Sequence, residues 1–201
     1  MGSKSSIQIR EIIEDYIGQV KQALDSLNRT QVEQAVEVLL DTYRKNKKVF
    51  VMGNGGSAAN ASHFACDMSK QTLERAYEGR EKRFKVYSLT DNAALITAYA
   101  NDLSFEDIFL QQLRNLVEKG DAVIILSGSG NSKNILPAAR YAKKRRAVTI
   151  AITGFRTGGK LGKLADYQIQ VKSRNYGPYE DIQLVLNHII TICLSKLKNH
   201  K

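Results

Sequence analysis

The apolar residues of this chain recur first at helical spacing and then in short runs that alternate with helical stretches. The early pattern predicts two amphipathic helices, the second behind the cap candidate Thr30. From residue 48 onward, strands are predicted near 48–52, 84–89, 122–127, 147–153 and 167–171, and helices near 57–70, 91–100, 105–118, 132–146 and 179–197. Such alternation is typical of an α/β fold with a parallel sheet covered on both faces.

The domain organisation follows from size and composition. The chain has 201 residues, 43% of them hydrophobic, and only two prolines, which favours one domain with one sizeable core. We expect residues 1–46 to form the helical pair and residues 47–201 the α/β core. Ser104 and Asp107 are expected to form a capping box for a helix that ends at Gly120. The charged, glycine-containing residues 71–83 suit a mobile flap or a solvated connection, of which we expect the connection.

Two strand-to-helix junctions carry the strongest functional signal. The first apolar strand leads into residues 53–57, Gly-Asn-Gly-Gly-Ser, which we call the glycine loop. The third leads into residues 127–132, Ser-Gly-Ser-Gly-Asn-Ser, which we call the serine loop. A helix that begins after such a loop presents free N–H groups and its positive dipole end to an anion. Neither loop has the Walker lysine or the G-x-G-x-x-G spacing, so we expect a compact monophosphate and no nucleotide cofactor.

Further polar residues fall at the same edge of the predicted sheet. Asp91 and Asn92 directly follow the second strand, and ligands of such sheets bind beyond the carboxyl ends of the strands. Asp91 is therefore a candidate ligand-binding carboxylate. An ordinary helix cap explains the same residue equally well.

Two histidines and two carboxylates suggest a reactive site. His63 and Asp67 lie four residues apart on the helix after the glycine loop, and Glu180 and His188 lie eight apart on the last helix. Both spacings place the pair on one helical face. The four side chains suit a zinc site or an acid/base site, although a single histidine on a helix more often has a structural role.

Charge and cysteine content restrict the partners. The formal net charge is +10, with basic clusters at predicted helix ends, which favours anionic metabolites. The basic residues form no RNA-recognition or zinc-finger pattern, which argues against nucleic-acid binding. Two separated cysteines, Cys66 and Cys193, indicate a reducing cytoplasm. No apolar run approaches the roughly 18–20 residues of a membrane span, so we expect no membrane partner.

The motifs together resemble those of the phosphoheptose isomerases of the sugar-isomerase (SIS) domain superfamily. The resemblance extends over essentially the whole chain. It rests on the glycine loop with His63-Phe64-Ala65, the serine loop, Thr153-Gly154, and Gly158-Gly159-Lys160. It implies a three-layer α/β/α sandwich with a five-stranded, flavodoxin-like parallel sheet. It also implies a homotetramer with active sites between subunits, and interconversion of sedoheptulose 7-phosphate and D-glycero-D-manno-heptose 7-phosphate.

The resemblance also implies roles for individual residues. Asp67 corresponds to the base and His188 to the second acid/base group, and one zinc ion per subunit is expected on His63, Asp67, Glu180 and His188. Substrate and phosphate are expected on the two loops and at the end of the second strand, at Asn54, Gly55, Ser57, Asp91, Asn92, Ser127, Ser129, Asn131 and Ser132.

Four positions depart from the family pattern. Asp67 replaces a glutamate and is shorter by about 1.5 Å, one C–C bond. Glu180 replaces a glutamine and adds a negative charge, Gly128 replaces a threonine, and Gln71 replaces an arginine.

The departures leave three functions open. The first is a heptose phosphate isomerase that supplies a bacterial surface polysaccharide, such as lipopolysaccharide or capsule. The second is an isomerase of another sugar phosphate, favoured by the changes at Gly128 and Gln71. The third is a non-catalytic sugar-phosphate sensor or replication-initiator adaptor. His188 and the carboxylate of Asp67 favour an enzyme.

Overall fold

A computed structural model describes residues 2–74, 79–155, 157–173 and 175–199. The strands are β1 (Lys48–Gly53), β2 (Lys85–Ser88), β3 (Ala122–Ser127), β4 (Val148–Thr153) and β5 (Tyr167–Gln170). The helices are α1 (Gly2–Asp25), α2 (Arg29–Arg44), α3 (Gly56–Lys70), α4 (Ala93–Asp102), α5 (Ile108–Leu116), α6 (Ile135–Lys144), α7 (Gly159–Leu164) and α8 (Tyr176–Leu197).

The five strands form one parallel sheet in the order β2-β1-β3-β4-β5. This arrangement confirms the predicted α/β fold class and its flavodoxin-like strand order. The chain moves outward from β1 to β2 and then crosses back to place β3 on the other side of β1. The resulting crevice between the carboxyl ends of β1 and β3 is where ligands of such sheets bind.

Helices cover both faces of the sheet and form the two outer layers. One apolar core joins α2, α3 and α8 to the sheet, and a second core on the opposite face joins α5, α6 and α7 to it. Residues of β1 alternate between these cores, with Val49 and Val51 in the first and Phe50 and Met52 in the second. Nearly continuous apolar strands are expected where both faces of a sheet are covered.

Several local predictions need correction. Asn28, not Thr30, caps α2, because its side chain accepts hydrogen bonds from the N–H groups of Thr30 and Gln31. The helix expected over 105–118 begins as a 3₁₀ turn (Phe105–Asp107) and ends at Leu116. Ser104 donates to the Asp107 carboxylate at 2.7 Å and makes no side-chain cap bond.

One short helix was not predicted from the sequence, and one predicted connection is anchored at its far end. The short helix α7 was not predicted, because it has only six residues and contains two glycines, Gly159 and Gly162. In the predicted connection 71–83, residues 75–78 lie outside the described part of the chain. Its far end is held by the side chain of Glu81, which accepts a hydrogen bond at 2.5 Å from the buried Lys198, the residue directly after α8.

Helix α1 has an apolar face that its own chain leaves in contact with solvent. Ile7, Ile9, Ile12, Ile13 and Ile17 are all exposed, Ile13 by 51%. Near its C-terminal end Ala23 is buried. The Tyr16 hydroxyl donates to Asp181 of α8 at 2.6 Å, and this hydrogen bond raises the pKa of Tyr16.

Within the described ranges, none of the helices is both long enough and apolar enough to cross a bilayer.

Candidate active site

The two predicted anion-binding loops lie side by side. The glycine loop follows β1 and the serine loop follows β3, and these strands are neighbours, with Gly53 paired to Leu126. Both loops therefore open into the crevice between β1 and β3. Gly55 caps α3 with a positive φ of 57°, a conformation that glycine adopts readily.

A reciprocal pair of amides joins the two loops. Asn54 Nδ2 donates to Asn134 Oδ1 at 2.9 Å, and Asn134 Nδ2 donates to Asn54 Oδ1 at 2.8 Å. The side chain of Asn54, a predicted substrate-binding residue, thus joins the two loops. Asn134 is buried and was not singled out from the sequence, because only the folded sheet brings the residue after the serine loop next to Asn54.

Three of the four predicted metal or acid/base residues converge. His63 Nε2 lies 3.3 Å from His188 Nε2 and 3.0 Å from Asp67 Oδ2, and His188 Nε2 lies 3.5 Å from the same oxygen. Asp67 is buried, whereas both imidazole side chains are 46% exposed. The group, formed where α3 packs on α8, is therefore anchored on its carboxylate side and open on its imidazole side.

The spacing of these three donor atoms is close to that of a zinc centre. A tetrahedral zinc ion with bonds of about 2.0–2.1 Å holds its donor atoms about 3.3 Å apart. The three separations in this group are 3.0, 3.3 and 3.5 Å. Two imidazole nitrogens and one carboxylate oxygen also match the ligand types that zinc prefers. The residues present thus fit a divalent ion with a fourth position left for another ligand.

Glu180 lies apart from this group. Among the described residues, the cluster of potential ligands comprises His63, Asp67 and His188, without Glu180. The Glu180 carboxylate is packed against Gly56 and leaves no room there for a side chain. A carboxylate at this place is favoured by the positive end of the α3 dipole. The predicted four-residue set is therefore only partly assembled in this structure.

The predicted binder Ser57 is engaged inside the protein. Ser57 is buried, and its Oγ accepts a hydrogen bond from Gln183 Nε2 at 3.1 Å. The amide of Gln183 in turn accepts from Asn60 Nδ2 at 2.9 Å. This network fixes the first turn of α3 against α8.

The serine loop is folded by its own polar groups. Gly130 N–H donates to Ser127, Asn131 N–H donates to Ser129 Oγ at 3.2 Å, and Asn131 Oδ1 accepts from Lys160 N–H at 3.1 Å. In the described part of the chain, the N–H groups of Ser132 and Asn134 donate to no backbone carbonyl. These two main-chain N–H donors therefore lie just before the first residue of α6, where a ligand could accept from them.

The residues that directly follow β2 are also held by hydrogen bonds. The Asp91 carboxylate accepts hydrogen bonds from the hydroxyls of Ser62, Ser88 and Thr90. Asn92 caps α4, with its Oδ1 accepting from Leu95 N–H at 3.0 Å. The cap interpretation of Asp91 is therefore wrong, and that role belongs to Asn92.

Comparison with known families gives a match over most of the chain. The family model described as the SIS domain matches residues 15–154. The phosphoheptose isomerase of Helicobacter pylori (strain P12) is 34% identical over 182 residues, which are 90% of this chain and 91% of that protein.

Two solved structures are also similar. The phosphoheptose isomerase of Neisseria gonorrhoeae has a TM-score of 0.84 and 28% identity, and the match covers 96% of this chain and 99% of that one. The enzyme of the same name from Francisella tularensis has a TM-score of 0.83 and 27% identity, with 96% and 98% covered. The similarity therefore includes the whole fold.

Proposed function

Because the chain belongs to the phosphoheptose isomerase family of SIS-domain proteins and is a sugar-phosphate isomerase, we propose that it interconverts sedoheptulose 7-phosphate and D-glycero-D-manno-heptose 7-phosphate. The observation that carries this proposal is the convergence of His63, Asp67 and His188 at 3.0–3.5 Å where α3 packs on α8.

Isomerisation requires a proton to move between C1 and C2 of the sugar through an enediol. It therefore needs a base, an acid for the neighbouring oxygens and a group that stabilises negative charge on oxygen. In our proposal Asp67 removes the proton and His188 protonates or deprotonates the adjacent oxygen. His63, whose Nε2 lies 3.0 Å from the Asp67 carboxylate, helps to fix that carboxylate.

The same three side chains would hold a divalent metal, for which zinc is our choice. When bound, such an ion supplies Lewis-acid polarisation of the sugar carbonyl. Glu180 joins the ligand set in this proposal only if its carboxylate leaves Gly56. A carboxylate bound to a metal is a weaker base. Asp67 would therefore be less effective as the general base while it is a metal ligand.

We place the substrate phosphate on the serine loop. The support is electrostatic, because the Glu180 carboxylate already lies at the positive end of α3 and would repel a phosphate on the glycine loop. Ser129, Asn131 and Ser132 would then face the phosphate together with the N–H groups before α6. The remaining predicted binding residues would line the sugar or support the loops. These are Asn54, Gly55, Ser57, Asp91 and Asn92.

The phosphate assignment predicts the effect of Ser129→Ala. Loss of a hydrogen bond to a charged group should weaken sugar-phosphate binding by about 1.5–3 kcal/mol. Isothermal titration calorimetry of the variant would measure this, with Ser195→Ala near the end of α8 as the matched control. Unchanged affinity in Ser129→Ala would remove this loop from the phosphate site.

We further propose a homotetramer in which α1 and α2 form the contacts between subunits and active sites lie at these contacts. The support is the exposed row of isoleucines on α1, together with an apolar groove between α2 and α8 that is lined by Val32, Val36, Leu40, Ile189 and Leu197. Surface of this kind usually marks an interaction site.

The assembly predicts that Ile13→Asp disrupts the oligomer. A carboxylate in an apolar contact loses its hydration without gaining a partner, so the subunits should separate. Light scattering on a sizing column should give a tetramer mass for the wild type and a smaller mass for the variant. Lys21→Asp, also an exposed α1 position, is the charge control and should remain a tetramer. A monomeric wild type at micromolar concentration would contradict the shared-site proposal.

A different sugar phosphate is the second candidate substrate. Gly128 has no side chain where the family usually has threonine, and a Cβ there would lie 3.1 Å from Tyr179 and 3.2 Å from Tyr176. The two tyrosine rings thus fill space beside the serine loop. Burial raises the pKa of Tyr179, whose hydroxyl donates to Ile152 O at 2.7 Å, so the Tyr179 side chain stays neutral.

One experiment separates the candidates. The purified protein is incubated with a panel of heptose, hexose and pentose phosphates, and ketose–aldose conversion is followed by NMR. Turnover of sedoheptulose 7-phosphate supports the leading proposal, and turnover of another sugar phosphate alone supports the second. Binding without any turnover would favour a sensor or adaptor.

We propose a cytoplasmic location, in keeping with the free cysteines Cys66 and Cys193, and a role in making surface-polysaccharide heptose.

A further inference from the structure

The carboxylate of Asp67 is held by two amide side chains. Gln71 Nε2 donates to Oδ1 at 2.6 Å, and Asn187 Nδ2 donates to Oδ2 at 2.9 Å. Gln71 follows the last turn of α3, one helical turn after Asp67, and Asn187 precedes His188 on α8. The two oxygens of Asp67 are therefore fixed from two different helices.

The orientation of Asn187 is itself determined. Its Oδ1 accepts a hydrogen bond from Thr191 Oγ1 at 3.3 Å, one turn further along α8. Both residues are buried. A carboxylate without a proton only accepts hydrogen bonds, so the NH₂ group of Asn187 must face Asp67. Thr191, Asn187 and Asp67 thus form a directed chain that ends at the oxygen facing His63.

An amide at position 187 is not needed to fill the core. Other buried positions of α8 are filled by apolar side chains, among them Leu186 and Ile190. A leucine has the same branched shape as asparagine and is somewhat larger, and it would fill this position without burying a polar group. The polar side chain at this place is accounted for by its bond to Asp67.

We propose that Asn187 and Gln71 are positioning residues that hold the Asp67 carboxylate where it reaches both imidazoles. The inference rests on the proposed role of Asp67 in the isomerase site. An aspartate reaches less far than the glutamate usual in the family, so a small rotation would carry its oxygen out of range of His63 and His188. Misplacement of a reacting group by about 1 Å is enough to slow catalysis markedly.

The test uses variants that remove one hydrogen-bond donor and keep a side chain of similar shape. Asn187→Leu and Gln71→Met remove the hydrogen bonds, whereas Gln71→Arg retains a donor. Each should be assayed with the sugar phosphate that the wild type converts. We expect kcat to fall about 10–100-fold in the first two, with KM within about twofold, because loss of such supporting contacts has effects of this size. Gln71→Arg should retain most of the activity.

A matched control separates positioning from stability. Gln112 is another buried amide, which donates to the carbonyls of Leu89 and Ile108 on the opposite face of the sheet. Gln112→Leu should lower the melting temperature and leave kcat unchanged. If Asn187→Leu lowers only the melting temperature, as this control does, the proposal is overturned.

A second measurement does not depend on turnover. Crystal structures of Asn187→Leu and the double variant with Gln71→Met should show the Asp67 carboxylate rotated away from His63. An unmoved carboxylate would overturn the inference even if the wild type is an active isomerase. A wild type without isomerase activity would instead contradict the proposed function, while the position of Asp67 in the variants would still decide the inference.

Discussion

Asp67→Asn is expected to lower kcat for ketose–aldose conversion by about 10²–10⁴-fold, the usual contribution of a general base. The amide keeps the size of the side chain but cannot take a proton from the sugar carbon. KM should change little, because the phosphate is expected to bind elsewhere, on the serine loop. NMR rates at saturating substrate would measure the loss.

Two controls sharpen this result. Asp67→Glu restores the side chain usual in the family and keeps the carboxylate, so it should retain much more activity than Asp67→Asn. Asp107→Asn changes a carboxylate on the opposite face of the sheet and should leave the rate unchanged. Activity of Asp67→Asn within a few-fold of the wild type would exclude Asp67 as the base.

The second large expected effect is the loss of bound zinc from histidine variants. Protein purified without chelators is expected to contain close to one zinc per chain, and His63→Ala and His188→Ala are expected to lose it while remaining folded. Each removes one of the three donors that lie 3.0–3.5 Å apart. Elemental analysis would measure the metal, and circular dichroism the fold.

The third histidine of the sequence provides the control for this measurement. His200→Ala should retain the metal, because the side chains that converge are those of His63, Asp67 and His188. If the wild type contains no transition metal and added zinc does not raise its melting temperature, the metal proposal fails. Asp67 and His188 would then act as a metal-free acid/base pair, with His63 as a supporting hydrogen-bond partner.

Much of the fold could be predicted because its signals are local. Runs such as residues 122–127 are apolar on both faces, which predicts a buried strand without knowledge of its neighbours. The glycine and serine loops could be recognised for the same reason, since the residues that make a strand turn into a helix are adjacent in sequence. The resemblance to the phosphoheptose isomerases, stated from these motifs, is confirmed.

Helix caps and short helices were harder to predict from the sequence, because several neighbouring residues could each take the cap position. Asn28 and Thr30 are both good cap residues, and the backbone conformation at Asn28, with φ of −80° and ψ of 108°, decides between them. Asn92 and Asp91 compete in the same way before α4. Helix α7 is too short for its period to be recognised.

The sequence by itself determined the α/β class, the two loops and the shared helical face of His63 and Asp67, because each depends on neighbouring residues. Only the tertiary structure decided that His188 reaches this pair while Glu180 packs on Gly56, and that Asn134 and Asn187 support Asn54 and Asp67. These contacts join residues 80 or more positions apart. Their geometry depends on how α3, α8 and the β1/β3 crevice pack, which no local pattern specifies.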